Sequence, residues 1–274
     1  MGRIFYTQPP QEISFFEHGG KHSLSAALSY VADLIWPERC VGCGALSTLL
    51  CNSCRQRLFW IEQRWACPDC GAPWGWLTCT ECKHDLVTEC CVSACVYSDV
   101  VAHLIKIYKD EHEARLAPVL ASAIVCALDE ASLWPPKEAQ RLGSTSKENA
   151  ERELKRMPLH ALDIITYIPA TTSAYIRRGF DHMKGVADAL SRMLNITCVP
   201  TLTHHETKDQ RLFNRAERKA NMQGAFSATT DVAGARILLL DDVITTGATI
   251  QEAAAALMAR GAECVYAAAV ARAL

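Results

Sequence analysis

Long apolar runs are missing from this sequence. Stretches such as Ala253 to Leu257 and Ala267 to Ala271 fall far short of the roughly 20 residues a helix needs to cross a bilayer, so no membrane span is expected. An excess of one charge is missing too. Lys and Arg number 28 against 30 Asp and Glu, a formal net charge of −2, which excludes a general electrostatic pull toward nucleic acid and leaves only local basic patches for that purpose. The opening residues MGRIFYTQPPQEISFFEHGG carry acids and prolines in place of a basic-then-apolar leader, so no secretory signal is expected and a cytoplasmic location follows. A GxxxxGK[ST] phosphate loop is also absent, which sets aside the P-loop nucleotide hydrolases.

Cysteine, by contrast, is abundant. Fourteen occur in 274 residues, and a reducing compartment argues against a disulfide framework. Eight form four CxxC pairs: Cys40 with Cys43, Cys51 with Cys54, Cys67 with Cys70, and Cys79 with Cys82. The spacing CxxC-x7-CxxC followed by CxxC-x8-CxxC is an internal repeat. Each CxxC turn directs two thiolates at one tetrahedral ion, and two turns complete the closed four-thiolate shell of structural zinc. Two zinc ions are therefore expected. Consecutive pairing within each half is the first expectation, because each half is a self-contained repeat; a cross-braced arrangement, first turn with third and second with fourth, is the alternative. A thioredoxin-like redox pair would need one CxxC beside a βαβ unit and would not repeat. So short a segment cannot form much of a core, so the metal would supply folding energy. Cys90, Cys91, Cys95, Cys126, Cys198 and Cys264 lack the spacing and read as small buried hydrophobes.

Chemistry concentrates in Ile237 to Thr249, ILLLDDVITTGAT. Four aliphatic residues read as a strand buried on both faces. Asp241 and Asp242 follow at its carboxyl end, where open α/β sheets bind ligands and where paired carboxylates accept hydrogen bonds from vicinal hydroxyls. Thr245, Thr246, Gly247, Ala248 and Thr249 are small and hydroxyl-rich, so backbone N–H groups can approach a phosphate closely. Ile250, Ala253, Ala254, Leu257 and Met258 then recur at helical spacing up to Gly261, placing a helix N-terminus at the anion. This composite resembles the PRPP (5-phosphoribosyl-1-pyrophosphate) motif of type I phosphoribosyltransferases.

A second apolar run, Ala161 to Ile168, reads as another buried strand and ends at Pro169-Ala170-Thr171-Thr172-Ser173. This is either a second anion loop or a βα turn capped by Thr172 or Ser173; Arg177 and Arg178 beside it suit phosphate oxygens. A strand is expected over Cys91 to Tyr97, and helices around Leu104 to Lys109, over Leu116 to Leu128 and over Gly185 to Leu194. Lys208 to Phe226 is the densest basic segment, and 134–158 is polar enough for an exposed insertion.

With IWPERCVGCG, LIKIYKD and IPATTSAYIRRGFDH also in order, the chain resembles the ComF family, of the ComFC/GntX type. The resemblance implies an α/β fold: a parallel-sheet type I phosphoribosyltransferase domain behind a small N-terminal double zinc ribbon. The expected division is a disordered 1–20, an amphipathic helix over 21–37, the ribbons over 38–88 and the phosphoribosyltransferase-like domain over 89–274. The resemblance further implies PRPP as ligand, Asp241 and Asp242 on the ribose hydroxyls, Thr245 to Thr249 around the 5-phosphate, and Mg2+ bridging ribose and pyrophosphate oxygens. Thr171, Thr172 and Ser173 would meet the pyrophosphate, with Lys109, Arg177 and Arg178 stabilising its departure. Three outcomes remain open: phosphoribosyl transfer, PRPP sensing without turnover, and a competence role in DNA uptake with single-stranded DNA or a ComF-type helicase as partner. Asp181-His182 stands where the family pattern has Asn-Gln.

Overall fold

A computed structural model of the chain describes residues 37–76, 79–82, 86–133, 157–205 and 224–274. Residues Arg39–Leu274 form one compact unit, which holds the sheet, the described helices and the cysteine clusters. The expected N-terminal disorder, the helix over 21–37, nearly all of the 134–158 insertion and the basic segment from Lys208 to Gln223 lie outside the described residues.

Five strands form one sheet: β1 (Cys91–Val96), β2 (Ile164–Tyr167), β3 (Thr197–Cys198), β6 (Arg236–Ile244) and β7 (Cys264–Arg272), in the order β1-β7-β6-β2-β3. Every pairing in it is parallel. β4 (Leu202–His204) and β5 (Phe226–Ala228) make a separate antiparallel pair. The unbroken apolar runs of β6 and β7 follow from burial on both faces. Leu238, Leu240, Ala268 and Val270 pack with α2 (Asp99–Asp110), α3 (Ala117–Leu133) and α5 (His182–Leu194). The alternate residues Ile237, Leu239, Ala267 and Ala269 pack with Ile250, Ala253, Ala254 and Leu257 of α6 (Ala248–Ala259).

Two boundaries differ from expectation for one physical reason. β2 is shorter than the run Ala161 to Ile168, and β6 runs on through both acids to Ile244. β6 pairs with β2 only as far as Tyr167↔Leu240, whereas its pairing with β7 continues through Asp241↔Ala269 to Ile244↔Arg272. The acids thus belong to the strand, but to the part whose β2 side is open. Helix α6 likewise begins at Ala248, two residues ahead of the first periodic apolar position, after Gly247 turns the chain in the left-handed region at φ 78°.

The cysteine-rich segment, which includes the short helix α1 (Asn52–Arg55), docks on the edge strand β1. Ile61 N–H donates to Ala94 O at 2.9 Å and Val96 N–H to Phe59 O at 2.8 Å, while Trp60 bridges Cys95. This covers the exposed backbone edge that would otherwise template aggregation. Gly71, at φ 70°, lies so close to β1 that a Cβ would sit 3.1 Å from Cys91 O. Of the six remaining cysteines, Cys90, Cys91 and Cys95 are buried, Cys198 and Cys264 are half-buried, and Cys126 is exposed. The expectation of burial is corrected at Cys126, on the outward side of α3.

Candidate functional site

The chain runs outward from β2 to β3 and returns to β6 on β2's other side before continuing to β7. That reversal opens a crevice between the carboxyl ends of β2 and β6, the place where open parallel sheets receive ligands. Both expected anion loops border it, Pro169–Ser173 after β2 and Thr245–Thr249 after β6.

Asp242 is the centre of the polar network. Its Oδ2 accepts from Nε2 of His182 at 2.7 Å and pairs with Nζ of Lys109, while its Oδ1 has no partner among the described residues. Lys109 comes from the last turn of α2 and His182 from the first residue of α5. Asp241 Oδ1 accepts the Asp242 N–H at 2.9 Å. The two carboxyls are pushed apart in acidity. Burial, with the Asp242 charge beside it, pushes Asp241 up to about 8. Burial works against ionised Asp242 as well, but the hydrogen bond from His182 and the Lys109 charge outweigh it and hold Asp242 below the usual carboxylate range. Near neutral pH the pair carries about one negative charge, on the residue the cation grips.

Arg178 extends this network. Its Nη1 lies 3.4 Å from Nδ1 of His182 and its Nε 3.3 Å from Asp110 Oδ1, and its carbonyl is 2.7 Å from His112 Nε2. Arg177, its neighbour in sequence, is exposed and stands apart. On the β2 side, Thr171 caps α4 (Thr172–Arg178) by accepting the Ala174 N–H at 3.1 Å. The cap is thus Thr171, where Thr172 or Ser173 was expected; Thr172 and Ser173 lie in the first turn and are exposed.

On the β6 side no side chain caps α6, and its first turn holds no acid. The first N–H groups of a helix have no acceptor within it, and here the Ala248 N–H reaches Thr246 Oγ1 at 3.4 Å. Arg272, 2% exposed at the end of β7, fastens the base of this loop: its Nη1 donates to Ile244 O at 3.3 Å and to Thr245 O. A cavity of about 840 Å³ adjoins the loop's far side, between α6 and the second cysteine cluster, with Cys70, Val87, Thr246, Gln251 and Arg272 in its wall.

His182, Asp181 and Arg272 were not among the residues expected from sequence. A readable signal existed for the last: an arginine ending the run YAAAVAR is a cation at the carboxyl edge of a buried strand.

The cysteines assemble as Cys40, Cys43, Cys51 and Cys54, and as Cys67, Cys70, Cys79 and Cys82, with all Sγ atoms of a set within 4.8 Å of one another. Pairing is consecutive, and the cross-braced alternative is not adopted. Sγ separations of 3.6 Å for Cys43–Cys51, 3.6 Å for Cys70–Cys79 and 3.8 Å for Cys67–Cys82 match the edge of about 3.8 Å of a tetrahedron with zinc–sulfur bonds of about 2.3 Å. The residues present fit structural zinc. Backbone prepares the sites: the Cys51 N–H donates to Cys40 Sγ at 3.3 Å. No described helix is long and apolar enough to cross a membrane.

Residues 177–274 match the phosphoribosyl transferase domain family. The chain is 31% identical over 105 residues to the DNA utilization protein YhgH of Escherichia coli K12, across 38% of this chain and 46% of that protein. It is 27% identical over 222 residues to the protein of the same name from Salmonella typhi, across 79% of this chain and 87% of that one. A solved structure of glutamine PRPP amidotransferase from B. subtilis aligns with 39% of this chain and 22% of its own, at 20% identity and a TM-score of 0.27. The match to the phosphoribosyl transferase domain family, the parallel sheet that carries it, the two four-cysteine clusters ahead of it and the similarity to the YhgH proteins agree with the resemblance to the ComF family.

Proposed function

We propose that the chain binds PRPP together with Mg2+ in the crevice between β2 and β6. The observation that carries this reading is the held carboxylate. Lys109 and His182 both take Asp242 Oδ2 and leave Oδ1 without a partner among the described residues, on a strand followed by a loop that ends at an uncapped helix N-terminus. Asp241 and Asp242 would accept the ribose hydroxyls, while Thr245, Thr246, Gly247, Ala248 and Thr249 would surround the 5-phosphate with N–H groups and hydroxyls. The pyrophosphate would lie toward Thr171, Thr172 and Ser173, where Lys109, Arg177 and Arg178 supply positive charge as it departs. Bound Mg2+ would offset the charge of the ribose and pyrophosphate oxygens. Each cluster would hold one structural Zn2+, with the ribbons spanning 38–88 and the phosphoribosyltransferase domain 89–274, in a cytoplasm that keeps the thiols reduced.

Calorimetric titration with PRPP and Mg2+ tests the site. The wild type should bind, and the Asp241→Asn, Asp242→Asn double variant should not; an unchanged dissociation constant in that variant refutes the site. Pyrophosphate released only when a nucleobase is supplied would establish transfer, and binding without release would make the protein a PRPP sensor.

A second reading is favoured by the name its relatives carry, DNA utilization protein. Here the domain would act in DNA uptake, contacting single-stranded DNA or a helicase. With a net charge of −2, such contact must rest on local cations and would weaken steeply with salt. Titration of labelled single strands across a salt series decides it, and no binding at low salt excludes direct contact.

A further inference from the structure

Two consecutive residues at the start of α5 reach both sides of the crevice. Asp181 Oδ2 accepts the Ala170 N–H at 3.0 Å, from the loop that follows β2. His182 Nε2 meets Asp242 Oδ2 at 2.7 Å, on β6. Both are anchored. Asp181 Oδ1 caps α5 by accepting the Met183 N–H at 3.0 Å, and the buried Tyr108 hydroxyl donates to His182 O at 2.5 Å. Behind them α5 lays Met183, Val186, Ala187 and Leu190 into the core, so the pair sits on a rigid element and not on a loop.

The hydrogen bonds around the imidazole fix its tautomer. A guanidinium can only donate, so Arg178 Nη1, at 3.4 Å from His182 Nδ1, requires a lone pair there. Asp181 Oδ1 is 4.0 Å from the same nitrogen, too far for a hydrogen bond, and both Asp181 oxygens already accept N–H groups. The proton therefore belongs on Nε2, which donates it to Asp242.

We propose that Asp181-His182 is a brace that sets one loop of the crevice against the other, with His182 a positioning residue that donates from Nε2. It acts through Asp242: by holding Oδ2 it turns Oδ1 toward a ligand hydroxyl, while Asp181 holds the β2 loop at the matching distance. A single helix start thus orients the ribose-facing acid and the pyrophosphate-facing loop together. The role in binding rests on the PRPP reading; the Nε2 proton and the brace do not.

Two measurements on the full-length, metal-loaded chain test this. Long-range nitrogen–proton correlation spectra should show a proton on His182 Nε2; a bare Nε2 overturns the brace whether or not PRPP binds. PRPP and Mg2+ are then titrated into His182→Gln, which keeps a donor in place of Nε2, and His182→Leu, which removes it. Affinity should fall roughly tenfold in His182→Leu, the order expected for losing one hydrogen bond to a charged group while Lys109 remains, and should stay within about twofold of wild type in His182→Gln. Equal affinity in both variants and wild type refutes the positioning role. Equal weakening in both variants also refutes it, since bulk and not the donor would then matter. Failure of the wild type to bind PRPP defeats the PRPP reading and the ligand role together, and leaves the spectra to decide the brace.

Discussion

Replacing Asp241 with Asn should make the protein more stable, and increasingly so as pH rises. The wild-type carboxyl is half-buried beside Asp242 and pushed up to about 8 from its ordinary 3.8. Because the folded-state value lies above the unfolded one, the folded chain holds the proton more tightly. Ionising Asp241 then costs nothing below about pH 4, costs more with each step upward, and reaches its full penalty only above about pH 8. Asn keeps the oxygen that accepts the Asp242 N–H at 2.9 Å and has no charge to bury. One pKa unit corresponds to about 1.4 kcal/mol. Between about pH 6 and pH 8.5 the wild type therefore accumulates a penalty of at most about 3 kcal/mol. Partial exposure of the carboxyl and proton sharing with Asp242 reduce this to about 1 to 1.5 kcal/mol.

Comparing the gain at two pH values removes whatever the substitution does to packing, because that part is the same at both. At about 2 to 4 °C per kcal/mol for a chain of this size, the melting temperature of Asp241→Asn minus that of wild type should be roughly 2 to 6 °C larger at pH 8.5 than at pH 6. Thermal unfolding followed by circular dichroism at the two pH values, with zinc present, is the assay. A difference that is constant or shrinks as pH rises refutes the assignment of a strained, shared-proton acid pair. The same variant should lose PRPP affinity, so stability and binding would move in opposite directions, as expected where a site is held against its own electrostatics.

Metal analysis of protein purified without chelator should give about two zinc ions per chain, one per four-thiolate set. Stripping the metal should unfold the cysteine-rich segment and uncover β1, measured as faster amide exchange at Ile61 and Val96, whose N–H groups bridge the segment and the strand; unchanged exchange after metal loss would count against a folding role. Gly185→Ala should destabilise the chain by about 1 to 3 kcal/mol, because its Cβ would fall 2.7 Å from the Tyr108 hydroxyl and 3.5 Å from Ala117 Cβ. It should also weaken PRPP binding by displacing the group that anchors His182. Chemical denaturation with calorimetry on the same sample checks both effects, and an unperturbed stability would show that the α2–α5 contact is loose.

The features legible in the sequence were those with a short repeat or a continuous pattern. CxxC spacing leaves little freedom for two turns seven or eight residues apart, and the two thiolate sets form as the repeat suggests. The unbroken run from Ile237 to Leu240 could only be a strand covered on both faces. Illegible features depend on where a neighbour stops. Charges after an aliphatic run read as the end of a strand, yet Asp241 and Asp242 stay in β6 because β7 continues beside them after β2 has left at Tyr167. Strand lengths on the two sides of β6 come from chain segments some seventy residues before it and twenty after, which no local pattern encodes.

His182 was hidden for a related reason. Beside Gly179 and Phe180 it reads as a polar residue at a helix start, where Asp181 already explains the local pattern as a cap. Its partners come from four places: Asp242 on β6, Arg178 on α4, Tyr108 on α2 and, through Asp181, Ala170 after β2. A residue whose contacts are mostly remote in sequence carries no local signature of its role. The two acids show the reverse dependence. Their types were enough to mark the site, but which of them keeps the charge was decided by His182 and Lys109, from α5 and α2, closing on one oxygen of Asp242. The sequence pattern thus marks where a ligand would bind, while the division of labour between otherwise identical side chains is a property of the assembled sheet and the helices packed on it.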